Sequence, residues 1–348
     1  MEENKTHADI DESAKKKIAP VSPAIASALL LAVVYAIYAW GYRGSGVALS
    51  LAPALPVLAI FGAGAFAYTV LKSTPLAAGS AVLSLCAMVG LSFLCKTSVG
   101  EAAAIAALPA IALLGGLVMG VCTRKEKDMK TTVMLSAAIP CALAAAVIMI
   151  HSYITTGSPL ETLRVSVSQA REETVALLEE SMAQLRESLG DVAALNAEGL
   201  VSEAFNTLPG TLVAFAVVLS YLAQKAMFLV ARLFGTPEDI PQQLRTLEVS
   251  VAAAIVYVVS TALSLFVPTG LLQTSALNVA LCFVPALALV GVKTQFAQRR
   301  GGVVRIGCLP IILFVFLFYI NPALAIKVLA LFGAFEIIGQ RRTKAKHL

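Results

Sequence analysis

Between Ala19 and Trp40 the chain runs for 22 residues without a charged side chain. A helix of roughly 20 apolar residues crosses the hydrocarbon core of a bilayer. Inside that core the backbone has no water to bond, so such a run closes its own hydrogen bonds as a helix. The Lys15-Lys16-Lys17 cluster lies just ahead of it. A cleaved signal peptide has a shorter apolar stretch and a small-residue cleavage site, so the run reads as a retained first helix with its start in the cytoplasm.

Runs of this kind recur. Ten spans are expected, at about 19–41, 46–71, 74–95, 101–122 and 131–152, then 208–231, 246–267, 272–293, 304–320 and 322–339. A count of eight is the alternative, if 19–71 or 304–339 packs differently. The chain is 58% hydrophobic and 14% charged, against about a quarter charged in soluble proteins, and a soluble chain of 348 residues cannot hide that much apolar surface. The expected fold is therefore all-α, a polytopic transmembrane helical bundle with lipid as its second solvent.

One segment breaks the pattern. From Tyr153 to Thr207, three Arg face nine Asp and Glu, an excess of six negative charges in a chain whose net charge is +5. The basic clusters lie elsewhere: Arg124, Lys125, Lys127 and Lys130; Arg299, Arg300 and Arg305; Arg341, Arg342, Lys344 and Lys346. Alternating through ten spans from an inside N-terminus places every one of these in the cytoplasm and the acidic segment outside, as the positive-inside rule asks. Arg43 and Lys96 are left outside, one charge each. The resulting organisation is a disordered cytoplasmic tail (1–18), a membrane block (19–152), an acidic extracytoplasmic helical insert (153–207), a second membrane block (208–340) and a basic cytoplasmic tail (341–348).

The insert reads as an amphipathic helix over 158–190. Ser158 is placed to cap it, Pro159 suits the first position, and Glu161 stands three after the cap. Leu163, Val167, Ala170, Leu178, Met182, Leu185 and Leu189 share a face, with Glu172, Glu173, Glu179, Glu180 and Glu187 on the others. Gly190 is the expected stop, with a second short helix near 191–198. The apolar stripe packs across the outer mouth of the bundle or against this follower; a partner helix is the other reading.

Chemistry-bearing motifs are missing from the sequence. There is no Walker-type phosphate loop and no His-Glu-x-x-His, and Gly44-Ser45-Gly46 lacks the spacing of a nucleophile elbow. Cys86, Cys95, Cys122, Cys141, Cys282 and Cys308 sit in or beside apolar runs as small hydrophobes. With only His7, His151 and His347, no metal site is expected. No cofactor, no nucleic acid and no enzymatic activity are expected either.

Polar groups inside spans are costly and often functional. Tyr221, Gln224, Lys225, Gln273, Asn278, Lys327 and Glu336 are therefore the candidate cavity or coupling positions. Each also has a structural reading: Lys225 can snorkel to the inner interface, Glu336 can pair with Arg341 or Lys225, and the neutral groups can tie helices together. Gly116-x-x-x-Gly120 and Ala24-x-x-x-Ala28 permit close helix approach. A five-plus-five division also sets the two membrane blocks in opposite orientations, a transporter trait.

Leu108-Pro109-Ala110 leading to 113–120 and Arg124-Lys125, Leu208-Pro209, Val290-Gly291-Val292, and Asn321-Pro322 ahead of 331–336 and Arg341-Arg342 form a pattern that resembles the YybS-like family of bacterial membrane proteins over about 20–340. Members carry Asp where this chain has Glu336. That family is distantly similar to the substrate-binding components of energy-coupling-factor vitamin transporters. The resemblance implies a bacterial plasma-membrane protein that binds a small-molecule solute and meets a coupling or partner membrane protein, with Ala24 and Ala28 as the helix-contact positions. The acidic insert and the extra spans depart from the six-helix pattern of those components. The leading expectation is a solute-binding or transport component without its own ATPase. The alternative is a membrane scaffold or regulator that recruits a partner through the 158–190 helix.

Overall fold

The computed structural model describes residues 21–41, 50–97, 99–189, 196–234, 240, 248–297 and 318–346. Among these residues every regular element is helical: α1 (Val21–Gly41), a short 3-10 turn (Ala52–Ala54), α2 (Leu55–Lys72), α3 (Thr74–Leu94), α4 (Val99–Arg124), α5 (Met129–Thr156), α6 (Glu161–Leu189), α7 (Ala197–Phe234), α8 (Val251–Phe266), α9 (Leu271–Ala297) and α10 (Pro322–Lys346). All except α6 and α8 are long and apolar enough to cross a membrane, which makes eight. The 16 residues of α8 span about 24 Å, short of the roughly 30 Å hydrocarbon core. The expected 304–320 span lies outside the described residues except for 318–320, as do both ends of the chain.

The expected start of the second span at 46 lies outside the described residues, and Ser50 and Leu51 are helical ahead of a 3-10 turn. Pro53 and Pro56 remove backbone donors there, so a 3-10 turn precedes α2. The larger correction concerns α7. The new span expected at 208 instead begins at Ala197, and one helix of 38 residues runs through Pro209, about 57 Å from end to end; the expected short helix near 191–198 falls mostly outside the described residues.

The chain divides into two compact units: Met1–Ala142 with Ala216–Glu248, and Leu143–Phe215 with Val249–Leu348. α5 and α7 contribute residues to both.

In the first unit α2 is the central helix. From Gly62 to Val70 every residue is buried, as expected of a helix that is apolar on all sides. Its small residues let three neighbours approach to backbone distance. A Cβ at Gly62 would meet the Leu31 side chain of α1 at 2.9 Å, and one at Gly64 would lie 2.8 Å from Met227 N of α7. From the other side Gly116 and Gly120 of α4 press on the Ala63 and Ala67 carbonyls, where a Cβ would come within 2.7 and 2.6 Å. This is small-residue packing, the chief way membrane helices gain contact when burial in lipid and burial in protein are equally apolar. α1 and α3 are joined by a seam of hydroxyls: Ser80 Oγ donates to the Ala24 carbonyl (2.8 Å), Ser27 and Ser80 share a hydrogen bond, and Tyr35 pairs with Ser92.

Between α4 and α5, Asp128 caps α5 by accepting from Thr131 N at 3.3 Å. Hydrogen bonding from the Thr131 side chain, helped by its backbone N–H and by Lys130, holds this carboxyl below the usual carboxylate range. A lowered pKa means stabilisation that is present at neutral pH and is lost as the pH falls through the lowered value. Asp128→Ala is expected to cost about 1 kcal/mol at pH 7. Thermal melts of the two proteins should converge as the pH drops below about 3.9.

In the second unit α9 and α10 cross at Gly291 and Gly333, and α8 joins them where Tyr257 Oη donates to the Lys327 carbonyl (3.1 Å). α5 ends at Gly157, whose φ of +72° is the left-handed closure glycine favours. The insert helix α6 follows. Its cap is not Ser158: Thr162 N bonds to Ser152 Oγ (3.0 Å), a hydroxyl from the end of α5 that itself donates to the Ser158 carbonyl. The buried face is also shifted. The expected face is half-buried at Leu178 and Met182, with Arg171 and Val175 beside them, but Leu163, Val167 and Ala170 are exposed; the side chains of Leu185 and Leu189 lie outside the described residues. The start of α7 reaches α6 at Arg171, which pairs with Glu198 at 3.9 Å. Gly190 and 191–195 lie outside the described residues.

Candidate functional site

Among the described residues four buried polar side-chain atoms have no hydrogen-bond partner: Gln224 Nε2, Gln224 Oε1, Ser136 Oγ and Thr261 Oγ1. The first three belong to the first unit. Gln224 is 0% exposed and Ser136 2%. Both lie within the faces of their helices that form one apolar cluster, Ala223, Met227 and Val230 on α7 with Met129, Val133 and Ala137 on α5 and Met119 on α4. Nothing in helix formation calls for an amide at this position. Leaving a buried donor or acceptor unpaired costs about 1–3 kcal/mol, and no water enters from the hydrocarbon to relieve it.

The same stretch of α7 carries a cation on aromatic faces. Lys225 Nζ lies 5.3 Å from the Tyr221 ring centroid and 5.6 Å from that of Phe228. A desolvated ammonium in this position is held by the ring quadrupoles. Tyr221, Gln224 and Lys225 thus fall within little more than one turn of helix, the amide wholly buried and the other two half-buried. The sequence pointed to these three. It did not point to Ser136, because a serine in a membrane helix ordinarily bonds back to its own backbone, and its failure to do so has no sequence signal.

The remaining candidates fall in the second unit. Gln273 Nε2 donates to the Ser264 carbonyl (3.1 Å), joining α9 to the end of α8. Asn278 does more. Gly210 N donates to its Oδ1 (2.7 Å), and its Nδ2 donates to the Asn206 carbonyl (2.8 Å) and to Thr274 O. Asn206 and Gly210 are four apart, the two groups that an undisturbed helix joins to each other. At Pro209, where the ladder is interrupted, the Asn278 amide bridges them. A Cβ at Gly210 would lie 2.7 Å from Asn278 O, so only glycine admits the bridge. Asn278→Leu is expected to destabilise the protein by about 1–2 kcal/mol, and amide exchange at Gly210 should quicken with it.

Lys327 is exposed on α10, and Glu336 is half-buried one face away. Ala24 and Ala28 are 5% and 3% exposed, and the Ala24 carbonyl accepts from Ser80 of α3. Among the described residues no three His, Cys, Asp or Glu side chains converge to hold a metal ion.

Residues 47–335 match a family model described as predicted membrane protein (DUF2232). The chain belongs to this family. It is, with eight helices of spanning length among the described residues, a multi-pass membrane protein, and most of α2 to α10 lies within the matched region of the family. No curated protein and no solved structure matches it.

Proposed function

We propose that this family member is a solute-binding or transport-related component of the bacterial plasma membrane that relies on no ATPase of its own and carries out no covalent chemistry. The observation that carries the reading is Gln224, an amide buried in the membrane-embedded part of α7 with both ends unpaired. Polar groups in that environment are retained where they meet a ligand or line its path. The basic connections favour cytoplasmic termini, with α6 on the outer side. The kinship to YybS-like proteins and to the substrate-binding components of energy-coupling-factor transporters belongs to the same proposal, in which Glu336 stands where those relatives carry Asp and a coupling protein meets α1.

The test is a comparison of solute depletion from defined medium by cells lacking the protein, cells restored with it, and cells carrying Gln224→Leu. The reading expects a solute whose uptake returns with the wild-type chain and not with the variant. Uptake profiles identical in all three would overturn it.

A second reading, a scaffold that recruits a partner through 158–190, is favoured by the first turns of α6, where Leu163, Val165 and Val167 are exposed beside the acidic faces. Replacing these three with Ser separates the readings. Loss of a co-purifying partner, with no uptake that depends on the chain in either form, supports a non-transporting scaffold.

A further inference from the structure

The chemistry of the unpaired groups narrows the solute. We propose that Gln224 recognises a neutral cis-amide edge, an N–H and a C=O side by side on one ring, as lactams, imides and ureides carry. The inference rests on the solute-binding reading above and specifies its ligand.

A primary carboxamide presents a donor and an acceptor in one plane on the two atoms bonded to its carbonyl carbon. In Gln224 both are buried and unpaired. A carboxylate ligand only accepts and leaves Oε1 orphaned; an ammonium only donates and leaves Nε2 orphaned. An open-chain trans amide points its N–H and C=O in opposite directions and meets one end at a time. A cis-amide edge meets both at once, in two parallel hydrogen bonds, with no charge to desolvate. Ser136 Oγ, unpaired on the α5 helix that packs into the same cluster, can donate or accept, and the proposal gives it the secondary contact.

The apolar surroundings fit a small flat ring. Met119, Met129 and Met227, all 0–1% exposed, supply much of the bulk. Methionine has three rotatable bonds and a polarizable thioether, so these side chains can yield space for a planar ligand and repack on its faces. Neither Val nor Ile in their place could give way so readily.

The experiment uses the full chain purified into nanodiscs, with uracil, 2-pyrrolidone and hydantoin as probes and their fully N-methylated counterparts as controls. Thermal unfolding and calorimetric titration report binding. The proposal expects at least one probe to bind and raise the melting temperature while its N-methylated form does neither. It further expects Gln224→Leu to weaken that binding at least about 100-fold, and Ser136→Ala to weaken it less. The proposal is overturned if no probe binds, if methylated forms bind equally well, or if binding survives Gln224→Leu; ordered water satisfying the amide would give the first of these results. Uptake lost in Gln224→Leu without cis-amide binding would sink this inference alone and leave the transport reading standing.

Discussion

Gly291→Ala is expected to destabilise the protein by about 3 kcal/mol or more, a penalty that belongs to backbone collisions and not to ordinary repacking. The added methyl would run into the Leu329 carbonyl of α10, and Gly333→Ala would drive its methyl into the Leu287 carbonyl of α9. Neither obstacle is the end of a flexible side chain. Each glycine also faces the other's backbone nitrogen, at 3.2 Å from a Cβ built on Gly291 and 2.9 Å from one built on Gly333, so the crossing cannot relax by turning one helix. The tie of Tyr257 to Lys327 and the packing of Ala254, Ala280, Leu287, Ala330 and Ala334 depend on the same approach. Thermal unfolding, followed by thiol exposure of Cys282 with the other cysteines replaced, measures the loss. Gly79→Ala in α3 is the control, because a Cβ there meets nothing within 4 Å. Helix propensity alone should make that variant neutral or more stable by about 0.5–1 kcal/mol.

Gln224→Leu should act in the opposite direction on stability and remove function. Leucine nearly matches glutamine in size and deletes two buried groups that have no partner. The folded state then sheds an unmet desolvation cost, so the melting temperature should rise, by the equivalent of about 1–3 kcal/mol. Uptake should fall to the level of cells without the protein. Gln224→Glu, nearly isosteric, puts an acidic group into a wall of Met and Ala and should lower the melting temperature. A fall in stability on Gln224→Leu would mean that the amide holds the fold, and the site would lose its physical basis. Stability kept in reserve for function in this way is a common trade in proteins that bind ligands.

How much of this was written in the sequence differs from feature to feature. The runs that became α1, α3, α4, α5 and α9 are legible because lipid imposes one length and one hydrogen-bonding solution on all of them. Gly116-x-x-x-Gly120 is legible for a related reason, as a spacing that repeats on one helix face. Gly291 and Gly333 are not: Gly291 stands alone in its helix, Gly333 shares its helix only with Gly339 six residues on, and only the crossing shows that the two meet. The continuity of α7 was hidden by Pro209, which locally reads as a helix start. What carries the helix through is the Asn278 amide, 68 residues further along the chain, and no window around Pro209 contains it. The cap of α6 was hidden similarly. Ser158 has every local qualification, yet the turn opened by Gly157 brings Ser152 Oγ to Thr162 N first.

The candidate site was legible by half. Tyr221, Gln224 and Lys225 stand out as polar letters in an apolar run, whereas Ser136 looks like any small residue of a membrane helix. That Asn278 and Gln273 hold backbone groups while Gln224 holds none is a matter of partners, which composition cannot supply.

The whole account depends on which side of the membrane α6 occupies. On a cysteine-free chain, Glu179→Cys in α6 and Lys127→Cys between α4 and α5 can each be labelled with a membrane-impermeant maleimide in intact cells. The account predicts labelling at 179 without permeabilisation and labelling at 127 only after it. Labelling at 127 in intact cells, with 179 protected until the membrane is opened, would contradict the orientation and with it the reading of a solute taken up from outside.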